Sequence, residues 1–411
     1  MARRTLNLEE ARTLPRWRHP VMLLALVAAA MPVAFSTWSA LLNNFVIEIG
    51  GFTGVEIGWL HTLREVPGFL AIGVIVLIMF AREQTLLLFN LALLGAATAL
   101  TAWFPSLGGI LTITILSSIG FHYFETVNQS LQLQWIPKAE APRTIGRLVA
   151  VGSGASLLAY GLLVLTWKTF DLDYNLVYMV SGGLTVAAAL FAWLAWPNFE
   201  SPEPQIKSFV LRRRYWLYYV LQMMAGARRQ IFTVFAAFMM VERFGLEVHQ
   251  ITALFMINFV ANMIFAPLMG RAVARFGERR ALVFEYAGLA VVFLLYGGIY
   301  LFGWGVALAA TLYVVDHLFF ALAFALKTYF QKIADVPDIA PTAAVAFTIN
   351  HIAAVFLPAL LGYLWVRSPA SVFAFAAALA VASLLLALLI PRHPEKGHET
   401  VFAPLAPSPA A

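Results

Sequence analysis

Long apolar runs set the limits on what this chain can fold into. A stretch of about 20 residues with few charges crosses a hydrocarbon core about 30 Å thick at 1.5 Å per residue. Such stretches recur at 21-46, 55-80, 84-103, 107-134, 145-167, 175-196, 215-241, 248-270, 281-302, 305-331, 342-366 and 371-391. A backbone in lipid must satisfy its own hydrogen bonds, so these runs imply twelve transmembrane helices. Of the 411 residues 61% are hydrophobic and only 12% charged, whereas soluble domains carry roughly 25% charged residues. The expected class is an all-α integral membrane protein.

Charge between the runs gives orientation. The amino-terminal segment 1-20 holds Arg3, Arg4, Arg12, Arg16 and Arg18, and further Lys and Arg cluster at 207-214 and 271-280, all on one side of the bilayer. The opposite loops hold Lys168, Arg243 and Arg367. Because Lys and Arg accumulate on the cytoplasmic face, both termini are expected inside, in the cytoplasmic membrane. The first run is too long for the 7 to 15 residues of a cleaved signal's apolar region. Connections are short except for "PNFESPEPQIKSFVLRRR", residues 197-214, rich in proline and charge. It divides a cytoplasmic tail (1-20) and six-helix bundle (21-196) from a second bundle (215-391) and cytoplasmic tail (392-411).

Composition also removes function classes. The pI near 9.5 reflects topology rather than nucleic-acid binding, since the basic residues sit in short clusters between spans. With no cysteine, disulfides and thiolate metal sites are excluded. Phosphate-binding P-loop, HExxH and G-x-S-x-G patterns are absent, so neither direct ATP drive nor a membrane-embedded enzyme is expected. No cofactor or metal is expected.

The loop "GRAVARFGERRAL", residues 270-282, resembles the cytoplasmic signature of the major facilitator superfamily, G-x-L-[AS]-D-R-x-G-[RK]-[RK], at Gly270, Arg275, Gly277 and Arg279. Ala274 stands where the signature has aspartate and Glu278 where it has a basic residue, and the loop after the second span, "AREQ", lacks the signature. The resemblance implies two six-helix bundles around a central cavity, lined mainly by helices 1, 4, 7 and 10, that rock about a midplane site. It implies a secondary transporter, expected as a monomer, that moves a small molecule across the bilayer.

Ionisable residues inside spans mark pathways or sites, because lipid cannot solvate them. In "GFHYFETVNQSLQLQW", His122, Glu125, Gln129 and Gln132 fall within about 80° of one another on a helix. A buried glutamate with a histidine one turn away suits proton loading and relay, and a helix-tying hydrogen-bond network is the other reading. Asp316 and His317 on the tenth span lie at a comparable depth and complete the proton-coupling candidates. Lys327 projects within about 20° of Asp316 but roughly 16 Å along the axis, as a substrate or gate charge or a snorkelling side chain. Arg64 and Glu65 point about 100° apart on a helix and need separate partners.

Arg228 and Arg229 sit midway along the seventh span, where each arginine costs ~2.5 to 3.5 kcal/mol on insertion scales. Arg229 shares a face with Gln222, Gly226 and Thr233 and is expected to present its planar fork to a substrate anion, with Gln222, Gln129 and Lys327 as further substrate contacts. Arg228 is expected to be held by an acid, with Glu65, Glu125 and Asp316 as candidates. Four intramembrane cations against three acids lean toward an anionic organic substrate with protons as coupling ion; efflux of amphipathic drugs or lipids is the alternative.

Overall fold

The computed structural model describes residues 5–70, 73–136, 141–200, 211–335 and 338–403. Twelve membrane helices follow in order. They are α1 (Pro20–Glu48), α2 (Gly54–Phe69, continuing as Gly73–Phe80), α3 (Glu83–Leu100), α4 (Leu107–Trp135), α5 (Ala141–Thr166) and α6 (Tyr174–Ala195). After the linker come α7 (Trp216–Gln230, a π-helical turn Ile231–Ala236, then Ala237–Glu242), α8 (Val248–Phe276) and α9 (Glu278–Phe302). The last three are α10 (Val306–Phe320, a 3-10 turn Ala321–Ala323, then Phe324–Ile333), α11 (Ile339–Arg367) and α12 (Pro369–Ala387). Among the described residues ten are long and apolar enough to cross a membrane. α7 widens into a π turn shortly after its two arginines, and α10 tightens into a 3-10 turn.

By contact the chain forms two compact units. The first is Met1–Phe52, Leu63–Ile206 and Glu247–Met256, and the second is Thr53–Thr62, Lys207–Leu246 and Ile257–Ala411. Each repeats the same helix pairings six helices apart. In the first, α3 packs on α4 and α6, and α1 on α5 and α6; in the second, α9 packs on α10 and α12, and α7 on α11 and α12. Lipid tails are as apolar as leucine, so helix association in a membrane rests on close packing rather than on the hydrophobic effect. Small residues at the crossings permit that approach. A Cβ on Gly95 of α3 would lie 2.8 Å from the Gly182 carbonyl oxygen of α6, which only a missing side chain allows. In the second unit the start of α2 meets α11 backbone to backbone: a Cβ on Gly58 would fall on the Pro358 carbonyl and one on Gly362 on the Gly54 carbonyl.

Buried cores lie in both units, around Leu87, Phe124 and Trp135 in the first and Leu282, Tyr286 and Tyr329 in the second. From Thr5 onward the amino-terminal segment is folded. Thr5–Leu6 (β1) pairs in parallel with Asn198–Phe199 (β2), and Leu6 is buried. Asn7 and Glu10 cap the next helical turn reciprocally, with Glu10 N–H 2.8 Å from Asn7 Oδ1 and Asn7 N–H 3.1 Å from Glu10 Oε2. Gln84 at the start of α3 secures β2 from the other side, donating to the Pro197 carbonyl at 2.9 Å and accepting from Phe199 N–H at 2.9 Å.

The signature loop is a tight turn. Gly277 has φ +83°, a region costly for any residue with a Cβ, and α9 starts at the next residue. Glu278, the departure from the signature, is buried and held by Lys332 at 2.7 Å, so here the acid serves as an internal counter-ion. Arg275 is exposed beside Phe276. Gly270 lies on α8 about one van der Waals contact from Phe324, a Cβ there standing 4.0 Å from the ring.

Candidate functional site

The two adjacent arginines of α7 part company, as helical geometry requires of neighbours about 100° apart. Arg228 is fully buried, at 0% exposure. Its Nη2 stands 4.0 Å from Glu285 Oε1 of α9, its guanidinium lies 4.4 Å from the centre of the Tyr286 ring, and it donates to the Ser383 hydroxyl of α12. Asp316 of α10 is equally buried and within electrostatic reach of both Arg228 and Glu285. The acid in contact with Arg228 is therefore Glu285, in place of the expected Glu65 or Glu125, with Asp316 as a second acid nearby. In sequence, "VFEYAG" places Glu285 only a few residues into its span, where an acid reads as interfacial. A glutamate followed by a tyrosine one turn inside the run was the available signal.

Arg229 is exposed on the surface of the second unit. Its Nη2 donates to Asn350 Oδ1 of α11 at 3.0 Å. Asn350 Nδ2 donates in turn to the Gln222 carbonyl at 3.1 Å, and Gln222 Nε2 to the Tyr218 hydroxyl at 3.1 Å. Gly226 makes this possible: a Cβ there would lie 2.9 Å from Asn350 Cγ. The chain of bonds fixes one edge of the guanidinium while leaving the group exposed, which is how a fork is aimed at a ligand. Nothing local in the sequence joins Asn350 to Arg229, since three helices lie between them along the chain.

Asp316 and His317 point apart on α10. Asp316 faces the buried cluster, and half-buried His317 lies 6.3 Å from the Phe232 ring, which also approaches Tyr313 at 4.8 Å and Phe320 at 5.7 Å. The near alignment of Lys327 with Asp316 assumed an unbroken helix, and the 3-10 turn Ala321–Ala323 between them removes that register. Lys327 is exposed.

In the first unit, Glu125 bonds Gln129 one turn on, while His122 is buried against α2, where a Cβ on Gly68 would meet its ring at 2.7 Å. Gln129 is exposed and Gln132 partly so. Arg64 and Glu65 do meet, at 3.8 Å, because long side chains close the angle between neighbours. Arg64 also lies 5.3 Å from the Trp38 ring and 5.6 Å from Phe35, beside a small cavity lined by Thr114, Ser117 and Phe121.

At one end of the second unit an ion network joins the linker's end to the α10–α11 loop and the carboxy-terminal segment. Arg212 grips Asp338 in two bonds, at 2.9 and 3.1 Å, and Arg214 and Lys396 both pair with Asp335. The Lys396 bond, with Arg214 behind it, holds the Asp335 carboxyl below its ordinary range. The Arg212 bond does the same for Asp338, aided by Tyr215.

Two repeated six-helix units, each with charged groups buried at mid-span, define a polytopic membrane transporter rather than an enzyme. The family model of the Major Facilitator Superfamily matches residues 21–325, and the chain belongs to that superfamily. No curated protein sequence matches it. Solved structures share the fold at low identity. A mutant of the nucleoside transporter NupG is 13% identical with TM-score 0.73, covering 90% of this chain and 99% of that one. The POT family transporter PepTSo is 14% identical with TM-score 0.71, covering 91% and 97%. A bacterial homolog of the human lysosomal transporter Spinster is 13% identical with TM-score 0.67, covering 90% and 95%.

Proposed function

We propose that this secondary transporter moves a small organic anion across the cytoplasmic membrane by alternating access, driven by protons, with both termini inside. The observation that carries the anion is Arg229: an exposed mid-helix guanidinium, held on one edge by Asn350, has donors left for a carboxylate or phosphate. Gln222 and Tyr218 support the same face, and Gln129 and Lys327 are further exposed contacts. Glu125 with His122 and Asp316 with His317 are the proton candidates. Gly270, Arg275, Gly277 and Arg279 act at the cytoplasmic turn during rocking.

The test is uptake into proteoliposomes under an imposed pH gradient, screened over small carboxylates, phosphate esters and neutral analogues. Proton-driven accumulation of an anion is expected. Arg229→Lys keeps charge but loses the fork, so it should weaken binding, and Arg229→Gln should weaken it further. A cationic or neutral substrate, or normal binding by Arg229→Gln, sinks the assignment. The aromatic group Phe232, Tyr313 and Phe320 favours a second reading, export of amphipathic compounds, which the same vesicles decide with a lipophilic dye.

A further inference from the structure

Three side chains from three helices are buried together inside the second unit, Arg228 of α7 at 0%, Glu285 of α9 at 1% and Asp316 of α10 at 0% exposure; Glu285 stands 4.0 Å from Arg228 and Asp316 is within electrostatic reach of both. One cation faces two carboxyl groups. Among the described residues both oxygens of Asp316, Glu285 Oε2 and the Tyr296 hydroxyl have no hydrogen-bond partner. The other groups turned toward the cluster are uncharged: Tyr286 and Tyr296 from α9, Tyr313 from α10 and Ser383 from α12. No charged residue lies on α12. Elsewhere on these elements Arg229 is turned to the exposed face, Glu278 is neutralised by Lys332, and His317 sits with Phe232 on another side of α10. On α11, which packs on α7, His351 bonds the Phe347 carbonyl.

If both acids were ionised, the cluster would carry a net negative charge in a fully buried site, and isolated buried charges neutralise instead. We infer that Glu285 and Asp316 together hold one exchangeable proton, with Arg228 as the fixed counter-charge, and that this cluster is the proton-binding site of the transporter. The inference rests on the transporter reading and narrows its proton candidates from two helices to one buried group. It also brings in Glu285. Two buried acids within electrostatic reach of each other titrate as a pair, so the proton belongs to both rather than to either. Its release breaks one O–H bond, leaves the electron pair on the carboxylate and passes the proton to water, which must first reach the cluster. Bound proton therefore favours the packed arrangement of α7, α9, α10 and α12. Arg228 lies three residues before the π turn of α7, and such turns occur where a helix changes register at functional sites. Proton loss and movement of α7 are thus joined at one place.

Infrared difference spectra across the neutral pH range, on purified protein in lipid, read protonated carboxyl groups without needing the substrate. Wild type is expected to give a carboxylic-acid band that is lost on raising pH and shifts in heavy water. Asp316→Asn and Glu285→Gln each leave one acid for one arginine, and both should lose the band, whereas Glu125→Gln should keep it. A wild type without a titrating band overturns the inference by itself, as does a band that survives in Glu285→Gln or vanishes only in Glu125→Gln. Titration of the cluster without solute movement in proteoliposomes would leave the proton site standing and remove the transport reading; proton-driven uptake with no titrating band would do the reverse.

Discussion

Removal of the Arg228 charge is the sharpest probe of the second unit. Arg228→Leu retains most of the volume but leaves Glu285, 1% exposed, without its counter-ion. An ordinary polar contact between membrane helices is worth about 0.6 kcal/mol in double-mutant cycles. Breaking a buried ion pair by removing one partner costs about 3 to 5 kcal/mol, because a charge is stranded. The guanidinium's position over Tyr286 adds roughly 0.5 to 2 kcal/mol. Complete burial places this contact in the second class, so a loss of about 3 kcal/mol or more is expected. The double variant Arg228→Leu with Glu285→Leu leaves Asp316 as the one acid, which can stay neutral by keeping its proton; since replacing a buried pair by apolar residues is often neutral, it should recover most of the loss. Reversible unfolding of detergent-solubilised protein in mixed micelles, followed by tryptophan fluorescence, measures all four corners of the cycle. A single variant that loses under about 1 kcal/mol, or a double variant no more stable than the single, would refute the ion-pair account.

Further outcomes follow from other contacts. Gly95→Leu should destabilise the first unit by about 1 to 3 kcal/mol through overpacking, read in the same unfolding assay, because its Cβ would press on the Gly182 carbonyl; unchanged stability would mean that α3 and α6 do not cross there. The Asp335 and Asp338 carboxyls are held below their ordinary range in the folded protein. Their contribution is accordingly present above the unfolded carboxylate range, about pH 4, and is lost as pH falls through the lower folded values. Asp338→Asn should flatten that acid limb of the stability profile, and an unaltered limb counts against the network. For topology, a cysteine at exposed Gly51 should react with an impermeant reagent in intact cells while one at exposed Arg280 should not. The reversed pattern would invert the orientation, and Glu278 is a poor position for this test because it is buried under Lys332.

The helices were legible because apolar length is a local property: each of the twelve runs names its own span. Faces were legible for the same reason, and Arg228 and Arg229 fall to opposite environments as the 100° step between them demands. What escaped was whatever depends on partners far away in the chain or on departures from an ideal helix. Glu285 meets Arg228 across 57 residues and Asn350 meets Arg229 across 121, separations that no local pattern encodes. The interruptions at Ile231–Ala236 and Ala321–Ala323 occur in ordinary apolar sequence without proline or glycine, so nothing local announces them. They altered the reading where it relied on register, as with Lys327 and Asp316. The ordered amino-terminal segment was hidden because its anchor is a strand that lies beyond the sixth span.

That anchor carries a time as well as a place. β1 has no partner until β2, almost two hundred residues later, has left the ribosome, which at about 5 to 20 residues per second is a wait of roughly 10 to 40 s. During that interval six helices are threaded into the bilayer while Thr5 and Leu6 remain unmatched. Their pairing with Asn198 and Phe199 is then a clasp that shuts only once all six helices of that half have been made. A reporter that senses closure of β1 on β2 in stalled nascent chains would mark the moment when the first half of the transporter is complete.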